Sequence, residues 1–263
     1  MIKQKIHFMS GLPRSGSTVL ASILNQNPSI YVTPTSPMLN VTVQMQECWR
    51  EDPTVKANYY EEQARNLTKA ILPAFWQHRP EPIIIDKGRG WAKNMIAVNA
   101  LFGEKIKVIV VERDLPSIMA SWLTVIKNQT KSGFDNNLRK KGFEPGDSNR
   151  MAEMWFGMVK DCMEGTQQIK KDVPDQIIVV TYDELINNPR QQLSRIEEFL
   201  ELPKHTYDFE NIKNDTVDDD LIAWGFEGLH TIRPKLKKTS KNSKEILGEE
   251  LYNKFVELER EYK

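Results

Sequence analysis

The stretch SGLPRSGSTVL, residues 10–20, sets Gly11 and Gly16 around an arginine, with Ser15, Ser17 and Thr18 as hydroxyl side chains. A strand ending at Ser10, a turn through the glycines and a helix starting near Ser17 would aim consecutive backbone N–H groups at one point. The positive end of the helix dipole lies behind that point, so the stretch makes an anion cradle. In a loop of the G-x-x-x-x-G-K-[ST] type, the lysine reaches the terminal phosphates of ATP and the next hydroxyl holds magnesium. Here Ser17 takes the lysine position and Arg14 supplies the charge from inside the loop. A guanidinium clamps an anion through two parallel N–H bonds. The loop therefore suits a phosphate or phosphosulfate bound without a metal-bridged triphosphate.

A second cation follows the same logic. In VVERDLPSIMASW, residues 110–122, a buried strand ends at Glu112 and delivers Arg113 to the carboxyl edge of a sheet, where open α/β folds bind ligands. Ser121 comes eight residues later, about two helical turns on, so both side chains can reach one anion.

The elements that must position these groups are readable as an α/β pattern. Short apolar runs at 5–10, 30–32, 83–86, 107–112 and 177–182 alternate with helical periodicity, which predicts a P-loop-like three-layer fold around a mostly parallel sheet. Val19, Leu20, Ile23 and Leu24 form an apolar helix face. Asn188 can cap and Pro189 open a helix whose Leu193, Ile196, Phe199 and Leu200 face the core. Residues 33–82 carry no strand pattern and are expected to be a helical cover over the sheet edge, with Trp49, Tyr59, Tyr60, Phe75 and Trp76 mostly in the core. Residues 133–148 are polar and glycine-containing and are expected to form a surface loop or lid. The segment 233–244 holds six cations and no acid, which suits an anion clamp.

With 263 residues, 36 Lys plus Arg and 36 Asp plus Glu, the chain reads as a single domain without the charge excess that marks a nucleic-acid or membrane-surface partner. Cys48 and Cys162 stand far apart, which excludes a disulfide scaffold and a zinc cluster. With no apolar run long enough for a signal peptide or a membrane span, the expectation is a soluble cytoplasmic protein.

The ordered set of motifs resembles the sulfotransferases, enzymes that transfer a sulfuryl group from 3′-phosphoadenosine 5′-phosphosulfate (PAPS) and release adenosine 3′,5′-bisphosphate (PAP). GLPRSGST resembles their 5′-phosphosulfate loop in its arginine-containing, tyrosylprotein-sulfotransferase-like form, which implies donor contacts from Gly11, Pro13, Arg14, Ser15, Gly16, Ser17 and Thr18. RDLPSIMAS resembles the 3′-phosphate motif, giving that role to Arg113 and Ser121. TYDELINNPRQQLSRIEEFLELP resembles the late strand-turn-helix, so Tyr182 inherits a nucleotide contact, and DKGRGW resembles the strand-end lysine motif, placing Lys87 near the transferring group. HTIRPKLKKTSK, residues 230–241, falls where the family has a basic loop over the adenosine, with Arg233, Lys235 and Lys241 as its cations.

The resemblance implies in-line transfer to a hydroxyl or amine, with Arg14 and Lys87 as the catalytic cations and no metal. The tyrosylprotein branch places a glutamate about twenty residues beyond the loop arginine, but here that position holds Thr35 and Ser36. Glu47, His78 and Asp86 are the candidate bases in its place. The acceptor, a small molecule, a glycan or a peptide, is left open, as is a homodimer; residues 33–49 and 133–150, with Trp91 and Trp122 as walls, are the expected acceptor pocket. Two other readings stay open. One is a magnesium-dependent kinase or nucleotidase with a degenerate loop and IIID as its acidic strand; the other is a non-catalytic nucleotide-binding protein of the same fold.

Overall fold

A computed structural model describes residues 4–103, 106–129, 133–214, 219–238 and 242–262. Five strands form one sheet: β1 (Lys5–Gly11), β2 (Ile30–Val32), β3 (Ile83–Lys87), β4 (Val108–Glu112) and β5 (Ile177–Thr181). Every pairing is parallel and the order is β2-β3-β1-β4-β5. The apolar runs read from the sequence thus become these strands.

Strand alternation divides the core. Met9, Val32, Ile85, Ile109, Val111 and Val180 face α1 (Ser17–Leu24) and a later helix through Leu193, Ile196 and Leu200. Phe8, Ile84, Val108 and Val110 face the opposite layer with Trp76, Trp91 and Met95. A sheet buried on both faces explains why β3, β4 and β5 are runs of Val and Ile broken only at their ends.

The cover after β2 consists of α2 (Met38–Glu51), α3 (Pro53–Ala57) and α4 (Glu61–Trp76). Its aromatics correct the expectation: Trp76 is buried, whereas Tyr59, Tyr60 and Phe75 are exposed, because they lie on the face or the turn that points away from the sheet. A 3₁₀ turn, Arg89–Asn94, and α5 (Met95–Phe102) follow β3. After β4 come α6 (Leu115–Asn128), α7 (Phe134–Lys140) and α8 (Asp147–Met154). The segment 133–148 is therefore not loop throughout: Phe134–Lys140 is helical, with Leu138 buried and Asp135 clamped by Arg150 at 2.6 Å. Its polar residues cover the outside of a helix that one leucine anchors.

A π turn at Trp155–Val159 leads into α9 (Lys160–Asp172), then β5, α10 (Tyr182–Asn187) and α11 (Pro189–Leu200). Asn188 sits at the start of α11 but gives its side chain to Glu184 rather than capping that helix. Finally α12 (Asp220–Trp224) and α13 (Ser243–Tyr262, broken at Gly248) return to pack Phe226, Leu229, Leu247, Leu251 and Phe255 against α6. No helix among the described residues is long and apolar enough to cross a membrane.

Candidate active site

The sheet order dictates where a ligand can sit. From β1 the chain runs through α1 toward β2 on one side, and from β4 through α6 toward β5 on the other, so the carboxyl ends of adjacent β1 and β4 form the switch-point crevice. A cleft of about 320 Å³ opens there.

Its floor starts with Gly11. With φ at 129°, a Cβ on this residue would lie 2.1 Å from the Val111 carbonyl oxygen, so only glycine lets β1 and β4 approach this closely. Gly16 (φ 93°) stands at the head of α1 with no side-chain cap, which leaves the first N–H groups of that helix for a ligand. A Cβ there would meet the Tyr182 ring at 2.7 Å, so glycine and tyrosine fit one another. Pro13, Gly16, Ser17 and Thr18 line the cleft. Ser15 is buried with its hydroxyl donating to the Leu12 carbonyl at 2.6 Å, so its side chain shapes the turn; Gly11 likewise serves strand packing rather than the cleft wall.

Arg14 is itself in left-handed backbone (φ 59°), a strained conformation of the kind that clusters at ligand sites. Its Nε donates to Ser121 Oγ at 3.2 Å and its Nη1 to the Leu229 carbonyl. Burial, and next the charge of Arg113, push its guanidinium pKa down. Arg113 donates to the Arg14 carbonyl at 3.1 Å and lies over the Tyr182 ring at 4.4 Å. Lys87, at the end of β3 and only 8% exposed, reaches Thr18 Oγ1 at 3.5 Å. Five residues proposed from widely separated motifs, Arg14, Lys87, Arg113, Ser121 and Tyr182, thus meet in one cleft.

The acidic candidates are placed elsewhere. Glu47 is exposed on α2 and His78 exposed after α4, and neither lines the cleft. Asp86 is fully buried, accepting from Ser36 Oγ at 2.7 Å, Trp76 Nε1 at 2.8 Å and Trp91 Nε1 at 2.9 Å, and burial pushes its carboxyl up. It binds the helical cover to the strand end, and with three protein donors on its oxygens it does not line the cleft. Trp91 is core for the same reason, whereas Trp122 does line the cleft. Thr35 reaches the cleft where the missing glutamate would fall, while residues 133–150 contribute nothing to it.

The roof comes from 224–237. Arg233 and Lys235 line the cleft, although Lys235 also pairs with Glu210 at 2.6 Å; Lys241 lies outside the described residues. Backbone bonds from Ile212 N–H to the Pro234 carbonyl and from Leu236 N–H to the Phe209 carbonyl hold this segment down. The sequence reading missed two roof features. His230 lines the cleft with Nδ1 against the buried Asp220 carboxylate, and its backbone N–H donates to the same group at 2.9 Å. Arg89, two residues after Lys87, lies over the face of Trp224 at 4.7 Å. A histidine ten residues from an aspartate carries no local periodicity, so no sequence signal pointed to the pair.

A profile of the Sulfotransferase family matches residues 7–206. A putative protein-tyrosine sulfotransferase of Caenorhabditis briggsae is 23% identical over 207 residues, 76% of this chain and 66% of that protein. The sulfotransferase domain from the curacin biosynthetic pathway superposes with a TM-score of 0.54 at 17% identity, over 94% of this chain and 97% of that one. A mouse sulfotransferase complexed with PAP gives a TM-score of 0.54 at 14% identity, over 98% of this chain and 83% of that one. The structural likenesses speak for the fold, and the profile, which spans three quarters of the chain and both phosphate motifs, shows that this chain belongs to the sulfotransferase family.

Proposed function

We propose that this protein transfers a sulfuryl group from PAPS to a hydroxyl or amine acceptor. The observation that carries the reading is the convergence of Arg14, Lys87 and Arg113 with the uncapped start of α1 at the β1/β4 crevice. PAPS supplies an activated sulfuryl group on a phosphate leaving group. The N–H groups of the Gly16–Thr18 turn and the Ser17 and Thr18 hydroxyls are suited to its 5′ end, and Arg113 with Ser121 to its 3′-phosphate. Tyr182 stacks under Arg113 and fixes its plane.

As the acceptor oxygen forms its bond to sulfur, the bond from sulfur to the bridging oxygen breaks, and Arg14 and Lys87 stabilise the charge that builds on the leaving phosphate and the sulfuryl oxygens. The acceptor's proton needs a destination, and His230 provides one. Its ring lines the cleft and is held by the buried Asp220 carboxylate against Nδ1, the arrangement of a base oriented by an acid.

Thermal unfolding tests the donor class. PAP at a hundred times its dissociation constant should stabilise the protein by about 2.7 kcal/mol without magnesium. Stabilisation by ATP only in the presence of magnesium would overturn the reading. Binding of PAP with no transfer from labelled PAPS to any acceptor would instead favour a non-catalytic nucleotide-binding protein.

A further inference from the structure

The cleft wall holds Arg14, Lys87, Arg89, Arg113, Arg233, Lys235 and Lys237, and no carboxylate among the described residues. Most of these cations have an explanation in the donor or in a protein partner. Arg89 does not. Its guanidinium donates to no protein acceptor among the described residues, and it is coupled to one titratable neighbour, Cys162. Burial pushes that thiol up, so it is neutral and supplies no counter-charge. Burial also pushes the Arg89 guanidinium down, a shift that a bound anion would oppose.

The surroundings of Arg89 lack acceptors in the same way. Trp224, whose ring the guanidinium covers, has a buried indole Nε1 with no acceptor among the described residues, and so has Trp122, which also lines the cleft. Stacking on Trp224 holds one face of the guanidinium and leaves its N–H edge to bind in plane, the geometry that matches a carboxylate. Arg89 follows Lys87 by two residues, so the two backbones are within about 7 Å of each other. Both side chains line the cleft from just beyond β3, whereas Arg113 and Ser121 enter it from the end of β4 and from α6.

We infer that the Arg89–Trp224 pair is an acceptor-anchoring subsite and that the acceptor is a hydroxy acid, with its carboxylate a few bonds from the oxygen that attacks sulfur. This rests on the donor reading above and adds to it the acceptor's chemical class.

The test pairs salicylate, mandelate and glycerate with their methyl esters as acceptors at saturating PAPS, and follows PAP affinity separately by calorimetry. The expected result is a kcat/KM for the acids about tenfold to a hundredfold above that for the esters. Arg89→Gln should bring the ratio near one with PAP affinity unchanged, and Arg89→Lys, which keeps the charge without the planar fork, should keep part of it. Equal use of acids and esters by the native protein would overturn the inference. So would an acid-to-ester ratio that Arg89→Gln leaves intact, a loss of PAP affinity in that variant, or the absence of transfer to all three acids while PAP binds. Failure of the native protein to bind PAP would overturn the donor reading itself, and this inference with it.

Discussion

The floor and the roof of the cleft are built by different means. The floor is backbone: glycines that let β1 touch β4 and open the start of α1, and strand ends that deliver Lys87 and Arg113. The roof is held by contacts that reach across long stretches of sequence, with Asp220 on His230, Arg89 over Trp224, and Arg14 on the Leu229 carbonyl. A floor of this kind recognises what every donor has in common, because backbone N–H groups and strand-end cations read charge and not shape. The roof is where acceptor chemistry can be chosen, since its residues owe their place to packing that other sequences can satisfy differently.

Arg14 is the link between the two, and removing it gives the largest expected effect. Arg14→Ala should lower transfer by about 10²–10³-fold, or about 2.7–4 kcal/mol, as loss of an oxyanion donor does. It should also speed amide hydrogen exchange in 229–233, because the bond to Leu229 is lost. Unchanged exchange there would show that the roof stands without the floor.

The floor's sheet has its own pH signature. His7 on β1 is buried, accepts from the Lys107 N–H at 3.1 Å, and is lowered from 6.5 to about 4, first by burial and then by Lys107 and Lys5. The unfolded chain takes up this proton near pH 6.5 and the folded one not until about 4, so stability is lost as pH falls through that window. The loss is on the order of 3 kcal/mol, visible in denaturant titrations across that range, and His7→Gln should flatten it. A slope that survives the substitution would place the acid-sensitive group outside the sheet.

His230→Gln tests the roof alone. Loss of a general base should lower kcat about a hundredfold, close to 2.7 kcal/mol, with PAP affinity retained. A fall in PAP affinity with kcat preserved would make His230 part of the donor cradle and erase the division between the two regions.

The comparison also explains how much of the protein could be read in advance. The five strands, α1, α11 and the floor cations lie in short stretches where periodicity and turn chemistry act within a few residues. Residues 133–148 misled because one buried leucine, Leu138, outweighs a polar composition. Glu47 and Asp86 were suggested by residue type and proximity in sequence. Neither reveals that α2 points Glu47 at solvent or that three donors enclose Asp86.

The sequence by itself determined the anion cradle. Gly11, Gly16, Arg14 and the strand ends carry their conformational and charge requirements locally, and a parallel sheet brings such ends to one edge. The tertiary structure alone decided which side chains close over that cradle. Arg89 meets Trp224, and His230 meets Asp220, only because α12 and the residues after it fold back across the sheet's carboxyl edge, and that return is set by the burial of Phe226 and Leu229 against α6 rather than by any pattern near the residues it positions.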